Sequence, residues 1–216
     1  MAVSDVKSNR LVLIVGGARS GKSSFAERCG HSFSRVLYFA TAHQRENDPE
    51  MAERIAKHRA ARPSSWITLE PPTTLEEMIA TVQRDKPEAV IVDCATLWLA
   101  WEMTKAHKQY SRLQLFAHLE NEISHFVFSL ASLACPVIVV SNETGMGVVP
   151  EHASGRAFRD FQGVLNKRLS ENSALSLFMI AGQALLLRNA NAPSDEGVFP
   201  IAVVTPAWVA KNLKLS

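Results

Sequence analysis

The chain has 216 residues, a formal charge of +2 and only three cysteines. At that length one domain is expected, spanning 1–216, since domains commonly hold about 100–200 residues. The small net charge leaves no electrostatic footprint for nucleic acid, and Cys29, Cys94 and Cys135 are odd in number, distant and without C-x-x-C spacing, which argues against a disulfide framework or a zinc site.

In chain order, residues 1–10 form a polar leader that does not read as a secretory signal. LVLIV (11–15) is a short apolar, β-branched run expected to form a buried strand. It leads through GGARSGKS (16–23) into SSFAERC, a helix-compatible segment that Gly30 can end. RVLYFAT (35–41) reads as a second strand. Asp48 and Pro49 then provide a helix start, as N-cap and first helical residue. Pro63 marks that helix's end, because the residue before proline is pushed out of helical geometry. WITLE (66–70) adds a short strand and AVIVD (89–93) a buried one. Leu113, Phe116, Leu119, Ile123, Phe126, Val127 and Leu130 recur at three- and four-residue steps, predicting a long helix with one buried face. PVIVVSN (136–142) and LSLFMIA (175–181) are further strands. Residues 189–216 read as an appendage, in which VFPIAVV suits only an edge strand because of Pro200. No run reaches the ~20 apolar residues of a membrane span, so the cytoplasm is the expected location. Alternating strands and helices imply an α/β fold whose central sheet is mostly parallel and flanked by helices.

GGARSGKS fits G-x-x-x-x-G-K-[ST] with Gly16, Gly21, Lys22 and Ser23 at the fixed positions, between a strand and a helix as a P-loop requires. Gly17, Ala18, Arg19 and Ser20 supply the remaining backbone N–H groups that would wrap phosphates. Lys22 would reach the β and γ oxygens, and Ser23 could ligate magnesium. The fold class is therefore a P-loop nucleotide-binding fold. Such a site wants a carboxylate at a neighbouring strand end, and Asp93 closes AVIVD there; the plainer reading of Asp93 is a cap on the next turn. Glu143 is a second candidate, or simply a turn residue before glycines.

RIAKHRAARP (54–63) sets His58 among Arg54, Lys57, Arg59 and Arg62. On a helix Arg54, His58 and Arg62 share one face, at i, i+4 and i+8, while Met51 and Ile55 share another. Neighbouring guanidinium groups favour the neutral imidazole, which is a nucleophile. Beside arginines able to grip phosphate, its natural electrophile is phosphorus.

GGARSGKS, RIAKHRAARPSSW, DCATLW, VSNETGMGVVPE and RAFRDFQGVLN together resemble the bifunctional adenosylcobinamide kinase and adenosylcobinamide-phosphate guanylyltransferase family of cobalamin biosynthesis, over about Leu11 to Arg188. The resemblance implies phosphorylation of adenosylcobinamide, followed by transfer of GMP from GTP to the phosphate through a covalent histidine-GMP at His58. It implies catalytic roles for Lys22 and Asp93, magnesium on Ser23 and Asp93, and nucleotide contacts from the loop, Arg54, Arg59, Arg62 and Glu143. It also implies GTP as a substrate, ATP as an alternative phosphate donor, and a homo-oligomer. Arg156, Arg159 and Asp160 match the family as binding candidates. The chain departs from the family pattern at Trp101, where asparagine is common, and at Lys167, where an N-Q pair becomes Asn166-Lys167. The rival expectations are a P-loop kinase of another alcohol and a nucleotide-dependent regulatory module without guanylyl transfer. His31, His43, His107, His118, His125 and His152 read as structural or solvated, and Trp66, Trp98, Trp101 and Trp208 as too dispersed to form a stacking platform for single-stranded nucleic acid.

Overall fold

The computed structural model describes residues 10–43, 53, 56, 59, 60, 62–190 and 202–214. Asp48, Pro49, Met51, Arg54, Ile55, Lys57, His58 and Pro200 lie outside the described residues, as does the side chain of Leu113. The described elements run β1 (Leu11–Gly16), α1 (Lys22–Gly30), β2 (Val36–Ala40), β3 (Ile67–Leu69), α2 (Leu75–Asp85), β4 (Ala89–Asp93), α3 (Ala95–His107), α4 (Arg112–Ala131), β5 (Val137–Asn142), α5 (Ala153–Glu171), β6 (Leu175–Ile180), β7 (Gln183–Asn189), β8 (Val203–Val204) and α6 (Pro206–Lys214).

One sheet takes the strands in the order β3-β2-β4-β5-β1-β6-β7-β8. The pairs from β3 to β6 are parallel, and β7 and β8 close one edge antiparallel. Both faces are covered, so the parallel strands are apolar along their length instead of alternating. Leu11, Leu13, Leu37, Phe39, Val90 and Val92 pack with residues of α2, α3, α4 and α5 on one face. Val12, Ile14, Tyr38, Ile91 and Leu177 pack with α1 and α6 on the other. The period-two alternation of each strand assigns its side chains to these two layers.

Helix starts have local causes. Thr74 caps α2 in a reciprocal box with Glu77, satisfying two amide donors that a helix start leaves unpaired. Helix α1 ends at Gly30 as expected, and a Cβ there would lie 2.7 Å from the Trp66 ring and 2.8 Å from Ile91. Trp66 and β4 therefore pack directly on the backbone at the end of α1.

Three features depart from expectation. Phe116 is 41% exposed and packs its ring at 5.0 Å on Phe161, while the neighbouring Leu115 is buried; the α4 stripe is rotated at its first turn. Strand β7 was not foreseen. Its register, Ile180 opposite Gln183, leaves a two-residue turn at Ala181 and Gly182, both with positive φ, the backbone that a tight hairpin demands. Residues 202–214 are also integrated with the sheet: β8 pairs with β7, and Val209, Ala210 and Leu213 of α6 are buried with Phe25 and Cys29 of α1.

Because β1, β2, β4 and β5 are parallel, their ends at Gly16, Ala40, Asp93 and Asn142 meet at one edge of the sheet. That is where open α/β sheets bind ligands. No helix among the described residues is long and apolar enough to cross a membrane.

Candidate functional site

The P-loop leaves β1 where the backbone is tightest. A Cβ on Gly16 would sit 2.4 Å from the Met179 carbonyl of β6, so the residue type is set by the neighbouring strand. Arg19 and Gly21 both have positive φ, and Gly182 N donates to Ser20 O at 3.3 Å, which braces the loop with the β6–β7 turn. Backbone of this kind presents successive N–H groups to an anion at the start of α1. Lys22 is 6% exposed, and its Nζ donates to Gly17 O at 2.5 Å and to Ser20 Oγ at 3.4 Å. A buried ammonium held over its own loop stands ready for phosphate oxygens.

Ser23 Oγ donates to Asp93 Oδ1 at 3.2 Å, although the residues are 70 apart in sequence and their strands are separated by β5. Asp93 thus reaches the P-loop from the end of β4, across β5 and not from the strand next to β1. Its other oxygen accepts from Tyr38 Oη at 2.5 Å. Burial first, and then the charge of Asp93, pushes the Tyr38 hydroxyl well above the ordinary tyrosine range, so Tyr38 remains a donor and Asp93 an acceptor. Thr41 N donates to Asp93 O at 2.9 Å, and Thr41 Oγ1 accepts from Cys94 N at 2.8 Å and donates to Cys94 O at 2.6 Å, fixing the chain just beyond β4.

In the basic segment Ala56, Arg59 and Ala60 are helical, as is Glu53 just before it. Arg59 is largely exposed and binds both Glu70 oxygens, with its Nε at 3.1 Å from Oε1. Arg62 is different. Its side chain is 6% exposed, its guanidinium lies 3.8 Å above the centre of the Tyr38 ring, and Nη1 is 3.6 Å from Glu70 Oε1. Among the described residues its Nε and Nη1 have no hydrogen-bond partner. The buried guanidinium is therefore held by the Tyr38 ring and the Glu70 charge and not by hydrogen bonds from Nε or Nη1.

The remaining candidates divide. The Glu143 carboxylate closes its own turn by accepting from Gly145 N at 2.5 Å, and its backbone N donates to Gly16 O at 3.0 Å; it shapes the P-loop's surroundings through its main chain. Arg156 donates to Pro150 O at 3.0 Å and Glu151 O at 2.5 Å, tying the loop after β5 to α5. Arg159 approaches Asp160 at 3.8 Å on the same helix. Lys167 is 77% exposed and pairs with Glu171, so that departure lies on a solvated face.

Sequence reasoning missed three features. Tyr38 looks like ordinary core within VLYFA, and only the fold points its hydroxyl at Asp93. Asn166 belongs to a buried polar network: its Oδ1 accepts from Ser141 Oγ at 2.6 Å and from Gln162 Nε2 at 2.9 Å, and its Nδ2 donates to Asn142 O at 3.0 Å. That network anchors α5 to the end of β5. Trp101, isolated in sequence, stacks on His43 with ring centres 3.7 Å apart. Burial, followed by the charge of Lys105, lowers the His43 pKa and favours the neutral ring.

Comparison with known proteins agrees with this architecture. Residues 12–187 match the family described as Cobinamide kinase / cobinamide phosphate guanyltransferase. The chain is 40% identical over 180 residues to the bifunctional adenosylcobalamin biosynthesis protein CobP of Pseudomonas aeruginosa, covering 82% of this chain and 96% of that protein. It is 35% identical over 165 residues to the bifunctional adenosylcobalamin biosynthesis protein CobU of Escherichia coli, covering 74% of this chain and 90% of that one. A solved chain from Pyrococcus horikoshii OT3 aligns with TM-score 0.50 at 10% identity, over 93% of this chain and 94% of that chain, a likeness of fold alone. With the family matched from the first strand of the sheet into its antiparallel edge, the chain belongs to the cobinamide kinase / cobinamide phosphate guanyltransferase family.

Proposed function

We propose that this protein phosphorylates adenosylcobinamide and then transfers GMP from GTP to adenosylcobinamide phosphate, working in the cytoplasm as a homo-oligomer. One observation carries the reading: Arg62 lies on Tyr38, Tyr38 holds Asp93, and Asp93 holds Ser23 of the P-loop. The basic segment that contains His58 thus ends against the phosphate site.

In the first reaction the acceptor hydroxyl attacks the γ-phosphorus of a nucleoside triphosphate, GTP or ATP: an O–P bond forms, the bond from the γ-phosphorus to the bridging oxygen breaks, the nucleoside diphosphate leaves and the hydroxyl proton passes to solvent. The loop amides of Gly17 to Gly21 and the Lys22 ammonium face the charge that grows on the departing diphosphate. Adjacent Ser23 and Asp93 offer hard oxygen ligands of the kind magnesium takes with phosphate. When bound, that ion supplies neutralisation of phosphate charge.

In the second reaction neutral His58 attacks the α-phosphorus of GTP. A P–N bond forms, the bond from the α-phosphorus to the bridging oxygen breaks, and pyrophosphate leaves. The phosphate of adenosylcobinamide phosphate then attacks the same phosphorus, the P–N bond breaks, and adenosylcobinamide-GDP departs while His58 returns to its neutral form. Arg62 has the burial, and two donors without a hydrogen-bond partner among the described residues, to steady the α-phosphate, whereas Arg59 is exposed and held by Glu70; Arg54 is a further candidate from the sequence alone.

The test is mass analysis of adenosylcobinamide incubated with the protein, magnesium and either GTP alone or ATP alone. GTP is expected to yield the phosphate and then the GDP conjugate, whereas ATP yields the phosphate only. Phosphate without conjugate under GTP would leave a plain alcohol kinase. Neither product, with nucleotide still bound, would favour the regulatory module.

A further inference from the structure

Beyond the nucleotide side, the structure has a cleft that no reaction step above uses. It has a volume of about 140 Å³ and opens outside the ends of β2 and β4, between the loop at Pro71–Thr74 and helices α3 and α4. Its position is informative because it lies on the opposite face of the sheet from the nucleotide groups. Lys22 and Ser23 start α1, which packs with Tyr38 on one face. The cleft is floored by Phe39 and Trp98, which belong to the other face. The two sides meet at one point. Thr41 lines the cleft, and its backbone and hydroxyl bond directly to Asp93 and Cys94. Thr41 thus joins the cleft to Asp93, whose carboxylate holds Ser23 of the P-loop.

The lining indicates the acceptor's chemistry. Trp101 is 41% exposed, and with His43 it forms a stacked aromatic wall at the rim. Such a wall offers a broad flat contact for a planar ring. Of the lining's three carboxylates, Glu102 pairs with Lys105, Glu76 lies 3.5 Å from His125, itself in the lining, and Glu122 lies 3.9 Å from His118; three carboxylates against one lysine favour a ligand rich in N–H donors. A triphosphate would be repelled by the same lining. Glu102 is only 12% exposed and already bonded to Lys105 at 2.7 Å, which preorganises one acceptor at the wall.

We propose that this cleft grips one edge of the corrinoid, a flat ring carrying positive charge and a rim of primary amides. Trp101 and His43 lie along the ring edge, and the glutamates accept from the amides. The inference rests on the reading of the protein as acting on adenosylcobinamide. It assigns Trp101, at a departure from the family pattern, to acceptor binding.

The experiment is equilibrium dialysis of adenosylcobinamide against the full-length protein, with Mg-GTP affinity measured on the same samples. Trp101→Ala and Glu102→Gln are compared with the unaltered chain, and His43→Ala provides a second change to the aromatic wall. The expectation is that each variant weakens corrinoid binding about 10-fold while Mg-GTP affinity stays the same. Corrinoid binding that is unchanged in all three variants would overturn the proposal and leave the proposed function standing. Loss of GTP affinity in Trp101→Ala would overturn it in favour of a nucleobase site. An unaltered chain that binds GTP but no corrinoid would remove the proposed acceptor itself, and this cleft's role with it.

Discussion

Tyr38 Oη donates to Asp93 Oδ2 at 2.5 Å, and Ser23 Oγ donates to Asp93 Oδ1 at 3.2 Å, so the two oxygens of one carboxylate have separate holders. Tyr38→Phe removes the first holder and keeps the ring beneath Arg62. A hydrogen bond to a charged group contributes about 1.5–3 kcal/mol. The magnesium concentration that half-saturates nucleotide binding should therefore rise about 10-fold or more. Titration of a fluorescent GTP analogue with magnesium reads this, and binding without metal should be unchanged. An equal loss with and without metal would reduce Tyr38 to a packing residue.

Lys22→Ala should abolish both transfers together. Its ammonium is the buried cation of the loop, and removal of one preorganised charge at a reacting phosphate costs on the order of 100-fold or more in kcat. Steady-state rates for each half-reaction test this, with circular dichroism to establish that α1 is intact.

Asn166→Ala should destabilise the protein without touching nucleotide. It takes the 2.6 Å acceptor from the buried Ser141 hydroxyl and the side-chain donor from Asn142 O, while Gln162 Nε2 keeps its bond to Ser141 Oγ. Unsatisfied buried polar groups cost about 1–3 kcal/mol, which corresponds to roughly 5 °C in Tm for a chain of this size. The neighbouring Lys167→Gln, on an exposed face, should stay within about 0.5 kcal/mol. Thermal melts of the two variants separate these cases.

Stability should fall steeply in alkali. Burial pushes the thiols of Cys29 and Cys94 up to about 12. In the unfolded chain they ionise near the ordinary thiol value of 9.0, so from there to about pH 12 the folded state holds more protons than the unfolded one, and stability declines as pH rises. Each thiol contributes a slope of ~1.4 kcal/mol per pH unit. Urea unfolding at successive pH values should show this slope, and Cys29→Ala should remove one thiol's share of it whatever its effect at neutral pH.

The strands and the P-loop were legible because their signals are local: apolar runs of strand length, and a glycine pattern that dictates its own turn. Asp93 was legible for the same reason, as a carboxylate closing an apolar run. Tyr38 was hidden because a tyrosine within a buried strand looks the same whether its hydroxyl meets a carboxylate or nothing at all. The β7 hairpin was hidden because Ala181–Gly182 is a weak turn signal, lacking the asparagine or aspartate that marks such turns. Trp101 and His43 are 58 residues apart, and no periodicity relates them; the register of β2 beside β4 brings them together. Arg62 shares its helical pattern with exposed Arg59, and only packing against Tyr38 separates their environments.

The most direct measurement is incubation of the purified protein with magnesium and GTP labelled at the α-phosphate, followed by denaturation and a count of retained label, with His58→Ala in parallel. The account predicts acid-labile, base-stable label on the unaltered chain and none on the variant. Absence of label on an unaltered chain that binds GTP, or equal label on His58→Ala, would contradict it.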